Sequence, residues 1–581
     1  MNKNYPIYRT TFIDDMRSLV EEAAQNFPDS IAISYKENYW DKEVRKVTFS
    51  KWREDVRNLG TALIANGLRE ENIAIIGENS YGWCCSFFAV MAVGSVTVPV
   101  DKELPLDDID GIISTTASKA VIFGKASEGK IREMLRNGAL RTVEMLVSVA
   151  PESALTESEL GGRKLTSLFE LQDKGAELFA EGDTSYYDYK IDVNKLASIV
   201  FTSGTTGKGK GVMLSQANIG LDMTLGMYNF DITRKTLHVL PPHHTFGSTV
   251  NYVGHLSQGC EVYISSGIKH VSDEIREQQP THLILVPAFL EVMNRKIWAT
   301  ARKEGKEGKE GLLKTMMKVS DCLRKVGIDV RKKLFSSVLS AFGGKLELII
   351  CGGAKLDEEI IRTFDSLGIT ILNGYGITEC SPLISANRNK YQKPGSVGTP
   401  ILACRVKIDN PDENGEGEIC VKGPNVMLGY YNNPEATAEV FDKDGFFHTG
   451  DYGKLDEEGW IYITGRKKNL IILSNGKNVY PEEIEADLQK VEGVSEVVVY
   501  AGESRVQKDK ITIVAEIFPD LDLLADKGVT DHQKYFEDQV KELNAKMPPY
   551  KAVKRVKLRD TEFQKNTSRK ITRFNIDKTI D

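Results

Sequence analysis

Short apolar runs rich in Ile, Val and Leu recur between Asn72 and Leu372, and they restrict the fold more than any other feature of the chain. They read NIAIIG (72–77), KLASIVF (195–201), HLILV (282–286), ELIIC (347–351) and ITIL (369–372). Runs this short and apolar at successive positions are strands buried on both faces, the signature of sheets covered by helices. Amphipathic stretches such as Phe49–Asn66 supply those helices, so the expected class is α/β. Gly82–Val100 (GWCCSFFAVMAVGSVTVPV) carries no charge and is long enough to suggest a membrane span. Gly94 and Pro99 would break such a helix, and VGSVTVPV is β-branched, so a buried helix followed by a buried strand is expected there.

A chain of 581 residues exceeds one ordinary core. From about Tyr462 the pattern becomes that of a compact α+β unit: a hairpin-like ITGRKKNLIIL, a helix starting at Pro481, strands in SEVVVYA and KITIVAEIF, and a helix near Asp531–Lys546. The expected division is a large N-terminal domain of helix-covered sheets, 1–467, and a small mobile C-terminal domain, 468–581. Lys303–Gly311 (KEGKEGKEG) has glycine at every third position, which predicts a solvated loop. The following Leu312–Phe335 is helical and basic, and two readings stand: a solvated helical face, or a surface turned to anionic lipid or CoA phosphates.

Net charge −7 argues against nucleic acid as a partner. The eight cysteines include no C-x-x-C pair, so free thiols are expected rather than a zinc site. With a polar start lacking a signal-peptide core, the expectation is a cytoplasmic protein with, at most, peripheral membrane contact.

The chemistry begins at Phe201–Gly211, FTSGTTGKGKG, directly after a buried strand. Glycines let backbone N–H groups turn toward an anion, hydroxyls donate, and lysines add charge, so the composition points to phosphate. Gly204, Gly209 and Lys210 match G-x-x-x-x-G-K, but Gly211 stands where a Walker loop needs Ser or Thr. The VMLS that follows reads as a strand where that loop needs a helix.

The loop resembles the signature of the adenylate-forming superfamily: acyl-CoA synthetases, luciferases and peptide-synthetase adenylation domains. Other motifs follow in the same order, so the resemblance runs from about Thr48 to Arg573. It implies that Thr202, Ser203, Gly204, Thr205, Thr206, Gly207 and Lys208 hold the ATP phosphates, with Gly209 replacing the usual proline. GGA (Gly352, Gly353, Ala354) resembles the adenine-side wall. In NGYGITE, Asn373, Gly374 and Tyr375 would face adenine, Thr378 the α-phosphate, and Glu379 would bind Mg²⁺ through a hard oxygen donor. In HTGD, Asp451 would take the ribose hydroxyls, with Arg466 of GRKKN also on the ribose and Lys468 at the hinge. TSRKITR makes Lys570 the essential lysine, Lys565 being the competing candidate. His244 of PPHHTFG would sit beside the acyl carboxylate, although His243 adjoins it.

The resemblance implies ATP, Mg²⁺ and CoA as the small-molecule requirements and a carboxylic acid as substrate. The acid would displace pyrophosphate from ATP, and the CoA thiol would then displace AMP. The match is nearest to AMP-forming long-chain fatty acyl-CoA synthetases, with Phe246, Gly247, Tyr252 and Phe289 readable either as tunnel lining or as ordinary core. A fatty acyl-AMP ligase serving a carrier protein, an aryl-CoA ligase and an inactive scaffold are the rival readings. No fused carrier domain is expected, and Thr378, Glu379, Asp451, Arg466 and Lys570 together argue against the scaffold.

Overall fold

The computed structural model describes residues 8–202, 209–232, 234–303, 308–473, 477–503, 511–565, 571–573 and 576–580, with no side-chain description between 302 and 309. The chain divides into two compact units, Met1–Arg405 with Lys422–Gly445, and Val406–Val421 with Phe446–Asp581.

The larger unit holds two sheets. In the nine-stranded sheet, six strands run parallel in the order Thr370–Gly376, Leu348–Cys351, His282–Leu285, Lys235–His238, Glu261–Ile264 and Ile31–Tyr35. Antiparallel strands flank them at both edges. The eight-stranded sheet is parallel from Leu196–Thr202 through Val96–Val100, Asn72–Ile76, Ala120–Phe123 and Met145–Ser148 to Lys164–Ser167. Its other edge is antiparallel, formed by Lys210–Ser215 and Gly429–Tyr430.

All five apolar runs are strands in these sheets, as expected of segments with no solvent-facing side. The uncharged stretch is a helix, Tyr81–Ala92, then the wholly buried strand Val96–Val100. Ser80 caps that helix by accepting from the Trp83 N–H at 3.2 Å. Among the described residues, no helix is long and apolar enough to cross a membrane.

Two local expectations differ from the structure. Helix resumes at Gly308 rather than after the glycine repeat, in Gly308–Lys325. Each glycine costs about 1 kcal/mol in a helix, but Glu310 and Lys314 pair one turn apart at 2.7 Å, and Leu313, Met316 and Met317 pack into the core beneath. ITGRKKNLIIL is not one hairpin. Ile461–Arg466 pairs back onto Phe447–Leu455, while Ile471–Ile472 pairs forward with Asn478–Val479. The backward register sets Asp451 opposite Arg466, an opposite-charge pair that supports it.

The smaller unit contains a four-stranded sheet in the order Arg405–Asp409, Gly417–Lys422, Phe447–Leu455 and Ile461–Arg466. A three-stranded sheet of Val494–Gly502, Thr512–Pro519 and Arg555–Leu558 carries a core with Ile484, Leu488, Phe536 and Val540 from the helices Pro481–Leu488 and His532–Asn544.

Candidate active site

In the larger unit, the register of two neighbouring parallel strands brings distant motifs together. Cys351 lies beside Asn373, so GGA and NGYGITE leave the sheet at the same end. A Cβ placed on Gly352 would lie 3.4 Å from the Gly374 carbonyl and 3.6 Å from the Phe246 ring. Phe246 follows PPHHT, so the His243–Phe246 turn reaches the same place. Gly353 has φ +87, a conformation that favours glycine, and Gly353 and Ala354 are exposed. Tyr375 is buried at 6% exposure, while Thr378 and Glu379 are half-buried on a short 3-10 turn.

Glu379 is held from another part of the chain. The Tyr430 hydroxyl donates to its Oε1 at 3.0 Å, and its own carbonyl accepts from the Met427 N–H at 2.8 Å. Tyr430 in turn belongs to a strand paired with Lys210–Ser215, opposite Val212, and the Lys210 ammonium lies 4.7 Å from the centre of its ring. Burial and the adjacent Glu379 carboxylate push the Tyr430 phenol well above its ordinary pKa, so it remains a donor at neutral pH. Tyr430 thus joins the hairpin of Leu196–Thr202 and Lys210–Ser215 to the Glu379 carboxylate. Sequence reading missed it: a tyrosine in VMLGYYNNP matches no phosphate or metal pattern, and only strand pairing reveals its place.

Thr202 and Lys210 end the two strands of that hairpin, where Thr202 pairs with Lys210. A strand follows the loop, which excludes Walker geometry. Ser203, Gly204, Thr205, Thr206, Gly207 and Lys208 lie outside the described residues.

The turn bearing Glu379 is braced from below. Asp222, fully buried, accepts from the Leu383 N–H at 3.2 Å, and Asn425 donates to the carbonyls of Cys380 and Leu383 at 3.1 and 2.6 Å. Burial drives the Asp222 carboxyl well above its ordinary pKa, against the hydrogen bonds from Leu383 and Asn425.

His244 is half-buried, and its ring centre lies 4.3 Å from that of His243. His243 is buried with its Nε2 3.6 Å from Asp101 Oδ2, and burial, with the Lys102 charge, lowers its pKa to about 3. It is therefore neutral at pH 7. Tyr252 is fully buried, stacks with Trp83 and donates to Asn79, so it serves as core. Phe289 packs against the core around Leu285.

In the smaller unit, Asp451 and Arg466 meet across the sheet, with Arg466 Nε 2.7 Å from Asp451 Oδ1. Asp451 is almost fully buried and Arg466 is about half exposed. Beside them Glu418 accepts from Lys467 Nζ at 2.6 Å, His448 Nδ1 at 3.0 Å and the Gly450 N–H at 3.1 Å. Burial raises the Glu418 pKa, but the Lys467 and His448 hydrogen bonds outweigh it and hold the carboxylate below its ordinary range. Asp409, Glu418 and His448 place ligand-type atoms within 4.8 Å of one another. The Lys467 ammonium on Glu418 makes that cluster an ion-pair network rather than a cation site. Lys468 is exposed.

Lys570 lies outside the described residues. Lys565, the competing candidate, is engaged in ion pairs with Glu496 and Glu562. Arg573 donates to the Val499 carbonyl at 3.0 Å and to Glu485 at 2.6 Å, which ties that residue to the three-stranded sheet and to the helix Pro481–Leu488.

A long-chain-fatty-acid–CoA ligase 1 of Homo sapiens is 30% identical over 491 residues, covering 80% of this chain and 68% of that protein. A chloroplastic long-chain-fatty-acid–[acyl-carrier-protein] ligase of Arabidopsis thaliana is 27% identical, covering 83% and 74%. The crystal structure of ATP-bound MatB from Rhodopseudomonas palustris shares the fold with a TM-score of 0.72 at 24% identity, over 96% of this chain and 97% of that one. The profile of the AMP-binding enzyme family matches residues 20–431, and with strand order, loop chemistry and these relatives in agreement, the chain belongs to that family.

Proposed function

We propose that this chain is an AMP-forming acyl-CoA synthetase acting on a medium- or long-chain fatty acid. A carboxylate is a poor electrophile because its leaving group would be oxide. Attack of its oxygen on the α-phosphorus of ATP expels pyrophosphate and leaves an acyl-adenylate. The CoA thiol then attacks the acyl carbon, AMP departs, and a thioester remains. No side chain need act as nucleophile, so the demand on the protein is positioning and charge neutralisation.

The observation that carries this reading is the convergence of Gly352–Ala354, Asn373–Glu379 and the His243–Phe246 turn at one end of the parallel sheet. Ligands of open α/β sheets bind at the ends of the strands. In this reading Gly352, Gly353, Ala354, Asn373, Gly374 and Tyr375 border adenine, and Thr202–Lys208 hold the phosphates. Thr378 contacts the α-phosphate, and His244 stands beside the acid. Asp451 and Arg466 take the ribose. Glu379 fits a divalent cation, since it is a half-buried carboxylate, a hard oxygen donor, and is oriented by the Tyr430 hydroxyl. Bound there, Mg²⁺ would neutralise phosphate oxygens; the protein's part is to hold the Glu379 carboxylate in place. Lys570, in a small lid domain of 468–581 hinged at Lys468, serves the first half-reaction, and the segment Ser474–Tyr480 serves the second.

The long-chain ligases among the relatives support a fatty substrate. A second reading, transfer to a carrier protein, is favoured by the acyl-carrier-protein ligase among them. AMP release from ATP, Mg²⁺ and CoA with acids from acetate to oleate, plus benzoate, separates these. CoA-dependent turnover with fatty acids is expected. Pyrophosphate release without CoA turnover would favour the carrier reading, turnover with benzoate alone an aryl ligase, and silence with every acid a scaffold. Lys570→Ala is expected to lose adenylate formation while retaining thioester formation from presynthesised acyl-AMP; equal loss of both steps would remove that assignment.

A further inference from the structure

Exposed apolar side chains are unevenly distributed. Among the described residues, sixteen large ones are exposed, and five of these fall within the 23 residues from Leu312 to Leu334: Leu312, Val319, Val326, Ile328 and Leu334. Chance placement would put fewer than one there. The same stretch carries seven basic residues against two acidic ones, in a chain of net charge −7.

The helix Gly308–Lys325 sorts these side chains by face. Leu313, Met316 and Met317 turn inward onto the core. Leu312, Val319 and the adjoining Val326 are spaced by seven residues, two helical turns, and so form one exposed row about 21 Å long. Lys318 and Lys325 form a parallel row beside it, both exposed. Four of the seven basic residues are matched: Lys314 with Glu310, Arg324 and Arg331 with Asp365, and Lys332 with Glu347. Lys318, Lys325 and Lys333 have no ion pair among the described residues.

The geometry points to this helix and the Val326–Leu334 segment as a docking surface for an anionic lipid bilayer. An apolar row inserts at the headgroup boundary while adjacent lysines meet lipid phosphates and carboxylates. Charge selects this occupant over the others. A second copy would set the same positive patch against itself in a two-fold contact. A nucleic acid would match the lysines but leave the apolar row facing water. The surface is separate from the candidate site, and its test needs no substrate.

The test is co-sedimentation of the full chain with vesicles of phosphatidylcholine alone or mixed with phosphatidylserine. Binding to the mixed vesicles alone is expected, weakening as salt rises. The triple variant Lys318→Glu, Lys325→Glu, Lys333→Glu is expected to lose binding by at least about a hundredfold, at about fivefold per lysine removed, the three new carboxylates adding repulsion. Val319→Ser with Val326→Ser is expected to lower binding with little change in salt dependence. These positions are exposed, and circular dichroism checks that both variants fold. No vesicle binding, equal binding to both vesicle types, or binding unchanged in both variants would overturn the proposal. Concentration-dependent self-association that the valine variant abolishes would overturn it in favour of a second copy.

Discussion

The Tyr430 hydroxyl carries one bond whose removal tests the site without disturbing the fold. Tyr430→Phe keeps the ring over Lys210 and its strand pairing but loses the donor to Glu379. A hydrogen bond to a charged group contributes about 1.5–3 kcal/mol, so kcat is expected to fall at least about tenfold, with a higher Mg²⁺ requirement. Initial rates across a magnesium titration check this, and unchanged rates would leave Tyr430 a packing residue. Asp451 allows a similarly clean experiment. Its partner Arg466 is about half exposed, so Asp451→Ala leaves the guanidinium facing water, at a cost to stability of about 1 kcal/mol or less. ATP affinity is expected to drop about ten- to a hundredfold if the carboxylate holds the ribose. Equal nucleotide binding by wild type and variant in calorimetry would remove it from that role. Most candidate site residues were proposed from the sequence because their chemistry is local: glycines beside hydroxyls, a carboxylate beside an aromatic ring. Tyr430 was not, since its role comes from a partner 51 positions away.

The elements were legible where one interaction dominates. Strands with no solvent face must be apolar throughout, and a sequence shows that directly. Glycine-rich Lys303–Gly311 misled because local propensity is small beside the burial of Leu313 and Met317 under the same helix. Pairing of Ile461–Arg466 was read forward rather than backward because period-two patterning does not say which neighbour a strand takes. Helix packing has its own sensitive point at Gly175. A Cβ there would sit 1.8 Å from the Asn58 carbonyl oxygen, where the helices Leu168–Ala180 and Phe49–Ala65 meet. Gly175→Ala must push the two apart, at an expected cost of about 3 kcal/mol or more. The midpoint of urea unfolding reads this, and an unshifted midpoint would mean that the helices separate without loss.

Across the larger unit, buried imidazoles make stability depend on pH. Burial lowers His238 and His243 to about 3 and His255 to about 4. In the unfolded chain each titrates near 6.5. Below that value the unfolded chain binds protons that the folded chain refuses, so the stabilisation is complete above about pH 6.5 and lost as pH falls. Each imidazole contributes a slope of about 1.4 kcal/mol per pH unit in that window. Melting temperatures recorded between neutral pH and pH 5 should fall steadily, and His238→Leu should flatten the slope. A flat profile would mean that these rings are protonated in the folded chain.

What the sequence determined by itself was fold class, family and the order of the motifs, because each rests on short stretches of residues whose character does not depend on distant partners. Only the tertiary structure decided which motifs meet. The register of Cys351 against Asn373 brings GGA to NGYGITE, the antiparallel edge brings Tyr430 to Glu379, and the backward pairing brings Arg466 to Asp451. Contacts of that kind join residues far apart in the chain, and their partners are selected by packing, which no local pattern encodes.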